Sequence, residues 1–187
     1  LRPTEVEPPP EFVFNKETGR YDVSPEFNCG IAWKYIRNGD FIFPLGVFPD
    51  YLDLSDSCYI TSLRNFPTEI HGGLNLQNQA SIKSLVGCPK YIDGDFSVSW
   101  TSIKDFTGLE DTEITGDFRA SYCNLLKSTK NFPKKVGGLI QMDDNKNLTA
   151  LEDLPEKALS SFTMRQCPNL KSLKGCPKKV RGDFRIS

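Results

Sequence analysis

Apolar residues recur along this chain with a period of 22. Leu52, Leu74, Phe96, Phe118, Ile140, Phe162 and Phe184 each open a unit, and two positions on the chain is apolar again at Leu54, Leu76, Val98, Ala120, Met142, Met164 and Ile186. Apolar, any, apolar is the period-two pattern of a strand with one buried face. Further apolar positions fall eight residues after the opener (Ile60, Ile82, Leu126, Leu148, Leu170) and eleven after it (Leu63, Leu85, Leu151, Leu173). Ile103 and Phe106 arrive one residue early, and Thr129 is the weak member of the second series. A repeat of this length headed by a strand predicts a solenoid of stacked coils, in which each unit buries its apolar set against its neighbours.

The turns repeat too. Pro67, Pro89, Pro133, Pro155 and Pro177 stand fifteen residues after their openers, each behind an apolar slot filled by Phe66, Cys88, Phe132, Leu154 or Cys176. Proline there fixes one torsion and removes a donor. Three residues later Ile70, Ile92, Ile114, Val136, Ala158 and Val180 are expected to point inward. Gly72, Gly94, Gly116, Gly138 and Gly182 then mark a corner, through positive φ or close backbone approach, with Ser160 as the exception. Strands linked this way run in one direction, so the sheet is parallel. The expected fold is a β-rich repeat solenoid with one parallel sheet of about seven short strands and irregular convex arcs.

The run Pro89-x-x-Ile92-x-x-x-Phe96-x-Val98-x-x-Thr101-x-Ile103-x-x-Phe106 resembles a leucine-rich repeat of the short bacterial type, with one extra residue at the Gly-Asp-Phe corner. The wording GCPK-x-(I/V)-x-GDF also resembles leucine-rich-repeat-like proteins encoded by tailed bacteriophages. The resemblance covers about residues 52–187. It implies a right-handed leucine-rich-repeat-like coil, a phage origin, and a place in the host cytoplasm or the virion. It also implies that the slot five after the opener (Ser57, Gln79, Thr101, Cys123, Asn145, Cys167) carries a structural hydrogen-bond ladder.

Residues 1–50 do not repeat. Residues 1–11 form an acidic, proline-rich arm, and residues 12–50 hold Phe12, Phe14, Tyr21, Phe27, Trp33 and Tyr35, too aromatic for a disordered tail. The expected role of 12–50 is a cap on the first coil, with a hairpin around Lys16-Glu17-Thr18-Gly19; the rival is an arm that docks on another subunit. Residues 51–187 make the solenoid, six full repeats and the start of a seventh. The chain opens without Met and stops inside that strand, which suggests a piece of something longer or an end that meets a partner.

With 23 basic and 24 acidic residues, the totals argue against a chain built as a whole to grip nucleic acid, and no stretch is apolar enough to cross a membrane as a helix. Of the six cysteines, Cys88 and Cys176 share an apolar repeat slot and Cys123 and Cys167 share another, so the cysteines read as reduced, buried hydrophobes in a cytoplasmic setting. No Cys-x-x-Cys pair or phosphate-cradling loop occurs, and the lone His71 lies at a corner. No cofactor, metal or catalytic residue is expected. The Gly-Asp pairs at Asp95, Asp117 and Asp183 read as corner hydrogen bonds rather than a calcium ladder.

What varies is the outward face. One residue after the openers lie Asp53, Asn75, Ser97, Arg119, Gln141, Thr163 and Arg185; three after them, Ser55, Gln77, Ser99, Ser121, Asp143 and Arg165 are also expected outside. Trp100 and Tyr122 sit just past adjacent strands, where packing does not demand aromatics. Arg, Trp and Tyr are the residues enriched at interface hot spots. The expected partner site is therefore Trp100, Arg119, Tyr122, Gln141, Asp143 and Arg165, binding a host or viral protein without catalysis. The competing readings are an ordinary solvated face, a structural segment of a virion or assembly protein, and the recognition domain of a larger effector. A second candidate is a basic convex side, Lys134, Lys135, Lys178, Lys179 and Arg181, open to an acidic protein or nucleic acid.

Overall fold

The computed structural model describes residues 6–55 and 59–187. Among them, Leu52–Asp53, Leu74–Asn75, Phe96–Ser97, Phe118–Arg119, Ile140–Gln141, Phe162–Met164 and Phe184–Ile186 form a seven-stranded parallel sheet in chain order. Its register joins opener to opener, Leu52 to Leu74 and so on to Phe162 with Phe184. Burial enforces that register. A one-residue slip would turn every inward side chain out, and those of Leu52, Leu74, Phe96, Phe118, Ile140 and Phe162 are at most 1% exposed. The fold is a β-solenoid.

One expectation needs correcting. The return arcs are not irregular throughout: Val47–Phe48, Glu69–Ile70, Tyr91–Ile92, Glu113–Ile114 and Lys135–Val136 make a second parallel sheet, and Lys157–Ala158 pairs with Lys179–Val180 beyond it. These are the residues just after the prolines, whose inward members Ile70, Ile92 and Ile114 are fully buried. Two sheets facing one apolar interior explain the aromatic packing there. Phe118 lies 5.4–5.7 Å from the rings of Phe96, Phe106 and Phe132, mostly edge to face.

The corner glycines act by close approach. A Cβ on Gly116 would sit 2.6 Å from the carbonyl carbon of Gly94, and one on Gly138 would sit 2.7 Å from that of Gly116. Coils touch backbone to backbone here, which leaves no room for a side chain.

The N-terminal residues cover the first coil. Phe12–Asn15 and Arg20–Val23 pair antiparallel, and the turn between them is closed by Gly19 N–H donating to the Asn15 carbonyl at 2.9 Å. Phe12, Tyr21, Phe27, Tyr35, Phe43 and Phe48 form a chain of ring contacts under the hairpin. Arg20 locks it down, donating to the Leu45 and Phe66 carbonyls at 2.6 Å each. The 3-10 helix Cys29–Tyr35 packs against the strand Leu52–Asp53. At the far end burial fades: Leu173 is 51% and Phe184 47% exposed. No helix among the described residues is long and apolar enough to cross a membrane.

Candidate functional site

Three columns of polar side chains run along the stack, and their internal bonds decide which residues remain to meet a partner. The first is the slot five after the opener. Gln79 accepts from Ile60 N–H at 3.0 Å and donates to the Leu54 carbonyl at 2.6 Å. Thr101 donates to the Val98 carbonyl at 2.7 Å. Asn145 accepts from Cys123 N–H at 2.8 Å and donates to the Ala120 and Met142 carbonyls. All are buried, so this is a structural ladder; its expected first rung, Ser57, lies outside the described residues.

The second column is the corner. Asp95 accepts from Asp117 N–H and Asp117 from Leu139 N–H, at 2.8 and 2.7 Å, and Ser161 takes the same role toward Asp183. Each carboxylate bonds the next coil's backbone, as the hydrogen-bond reading of the Gly-Asp pairs requires. No group of three potential metal ligands occurs among the described residues.

The third column corrects the expected outward set. Ser99, Ser121 and Asp143 are 7%, 7% and 4% exposed, and each accepts from the backbone N–H of Ser121, Asp143 or Arg165 one coil on. The strand bends after its second apolar residue, which turns this position sideways into the stack. Asp143 also accepts from Gln141 Nε2 at 2.9 Å and faces the Arg165 guanidinium at 3.2 Å. Burial works to raise its pKa, but the donors from Gln141 and Arg165 outweigh it and hold the carboxyl below the usual range. Arg119 is likewise occupied, between Asp95 at 3.0 Å and Asp117 at 2.5 Å. Burial also opposes ionisation of Asp95, and again the Asp117 N–H and Arg119 prevail, leaving its pKa lowered.

Trp100 and Tyr122 stand apart from these columns. Their rings stack at 4.2 Å between centroids with 6° between planes, and they are 45% and 38% exposed. Both backbones are left-handed, with φ of 62° and 58°. They share this with Asn78, Asp144 and Gln166, the residues four after each opener, at φ of 63°, 58° and 55°. A tight turn ends these five strands at that position. Asn and Asp adopt it readily, whereas a bulky aromatic is an outlier there. The stack therefore sits on strained backbone, which costs about 1 kcal/mol or more per residue, against about 0.5–1.5 kcal/mol returned by ring stacking. The Asp144 carboxylate beside the Tyr122 hydroxyl pushes the phenol pKa up.

The six residues expected to form a partner site thus divide. Trp100 and Tyr122 are exposed and stacked, Arg119 and Gln141 are partly exposed and Arg165 exposed but all three bonded to neighbouring carboxylates, and Asp143 is interior. Sequence reading missed the left-handed turn; its signal was Asn78 and Asp144 standing in register with the two aromatics. The basic residues Lys134, Lys135, Lys178, Lys179 and Arg181 are all exposed, on or beside the second sheet, with Lys134 paired to Glu113 and Lys178 to Glu156. His71 is exposed and faces Glu69 at 3.6 Å.

The described cysteines, Cys29, Cys88, Cys123, Cys167 and Cys176, are free thiols, and Cys58 lies outside the described residues. Burial pushes Cys88 and Cys123 well away from thiolate formation. Comparison with protein-family models, curated proteins and solved structures gives no match.

Proposed function

We propose that this chain is a non-enzymatic protein-binding module whose recognition site centres on the Trp100–Tyr122 stack. The observation that carries the reading is the placement of two exposed aromatic rings on left-handed backbone, where Asn and Asp serve the neighbouring coils. Strain kept at an exposed position, where ring stacking does little more than offset it, points to a functional contact. Rigid aromatics supply large contact area at small entropic cost. Arg119 stands on the strand that leads to Tyr122 and Arg165 lies two coils on, both already oriented by Asp95, Asp117 and Asp143. Charge-assisted bonds to a partner would therefore need little further ordering.

The repeat wording, which resembles leucine-rich repeats and their phage-encoded relatives, supports a host or viral protein as the partner, met in the host cytoplasm or on the virion. The test is a crosslinked capture from the native source, with the unaltered chain beside Trp100→Asn and Tyr122→Asn. Capture of one protein that both variants lose, with folding intact, supports the reading. Equal capture by all three overturns it.

A further inference from the structure

The outward face of the second sheet carries a charge order with a consequence of its own. Pairing sets Glu69 beside Tyr91, Tyr91 beside Glu113 and Glu113 beside Lys135, and later Lys157 beside Lys179. The alternate residues Ile70 to Val180 fall on the inward side, and the 22-residue repeat carries the same outward position across the break between the two sheets, from Lys135 to Lys157, so the outward order reads acid, aromatic, acid, base, base, base. Lys135, Lys157 and Lys179 are exposed, and none of them has an ion pair among the described residues. Lys157 and Lys179 are like charges on paired strands, which is unfavourable, so the basic half of this order is left uncompensated.

We infer that this face pairs with a second copy of the chain, reversed about a two-fold axis running along the strand direction between the coils of Glu113 and Lys135. That operation places Glu113 opposite Lys135 of the other copy, Tyr91 opposite Lys157, and Glu69 opposite Lys179. It yields two acid–base contacts and one cation–π contact, each made twice by symmetry. In the column on one side it sets Lys90 opposite Glu156, each already ion-paired within its own chain to Asp111 or Lys178, and in the column on the other side it sets His71 opposite Arg181. The alternative two-fold, along the stack, would place each of these charges on its own copy and is repulsive throughout.

A polyanion fits less well. The lysine run spans three coils, about 10 Å at the usual strand spacing, and the acidic half of the same column repels anything longer. The net charge of −1 sets no general repulsion between copies. The contact is a narrow, exposed ribbon, so the pairing is weak, reversible and screened by salt.

Sedimentation equilibrium of the intact chain at about 0.01 M and about 0.15 M salt tests this, since the screening length falls from about 30 Å to about 8 Å. The expected result is concentration-dependent dimer at low salt that fades at the higher. Glu69→Lys and Lys179→Glu should each weaken dimerisation about tenfold, with unchanged thermal midpoints, because both side chains are exposed. The double variant should restore it. Glu69 and Lys179 lie five coils apart within one chain, about 24 Å, so such a rescue reports contact between copies. A monomer under all conditions, or a double variant as weak as the singles, overturns the inference. So does a chain that stays monomeric but binds duplex DNA through the lysines.

Discussion

The Asn145 side chain accepts the Cys123 backbone N–H at 2.8 Å from one coil away, while its amide donates to the Ala120 and Met142 carbonyls. One buried amide satisfies three backbone groups that have no water to turn to. Asn145→Ala leaves the Cys123 N–H and the Ala120 carbonyl without that partner and the Met142 carbonyl with only the Cys167 thiol at 3.5 Å, at about 1–3 kcal/mol for each unsatisfied group, reduced by local relaxation. We expect a loss of about 3 kcal/mol or more in urea unfolding. Cys123→Ala, which keeps its backbone N–H, should cost less than half as much.

The Trp100 substitution separates strain from stacking. Trp100→Asn places at this turn the residue that Asn78 already supplies one coil earlier. Relief of backbone strain and loss of the ring stack nearly cancel, so stability should change by less than about 1 kcal/mol. Trp100→Val, β-branched on left-handed backbone, should destabilise clearly more. Paired thermal melts of the two variants check this.

Acid should unfold the chain partly through Asp143. Its pKa is lowered in the folded state from an ordinary value of 3.8, so the folded chain favours the carboxylate. That contribution is complete above the unfolded value and is lost as pH falls through the lowered one. Asp95 shifts the same way but is half exposed, so solvent screening shrinks its share. Urea midpoints taken from about pH 5 to about pH 2 should fall, and Asp143→Asn should flatten that fall while lowering stability at neutral pH.

The corner glycines should tolerate nothing larger. Gly116→Ala forces a methyl to within 2.6 Å of the Gly94 carbonyl carbon, and the coils must part to admit it. A cost of about 2–3 kcal/mol is expected from overpacking of this kind. Gly19→Ala has open space around its Cβ but a φ of 68°, so it should cost only the left-handed penalty of about 1 kcal/mol.

The Thr163 hydroxyl is buried without a hydrogen-bond partner. Thr163→Val removes that polar atom, keeps the branched shape and suits a strand. We expect a gain of about 1 kcal/mol, read as a raised thermal midpoint.

Much of this solenoid was legible because one constraint repeats. A unit that cannot bury Phe96 alone must stack it on Phe118, and the 22-residue spacing of such residues shows where each coil closes. Gln79 and Asn145 stood in a periodic slot that the likeness to leucine-rich repeats marked as a hydrogen-bond ladder. Asp143 was not legible. Period two placed it outside, and only the turn after Met142, whose handedness is a backbone property, carries it into the stack. Lys157 also escaped notice, since its kinship with Lys135 and Lys179 becomes visible only when the second sheet aligns them.

The sequence by itself determined the coil length and the strand register, because burial and backbone hydrogen bonding act on every repeat alike. Only the tertiary structure decided which polar residues are free. Arg119, Asp143 and Arg165 have the composition of a binding face, yet their partners lie on the same strand face, most of them one coil away and 22 or 24 residues apart in the chain. Stacking brings such residues within bonding distance, and the same stacking leaves Trp100 and Tyr122 face to face at the surface.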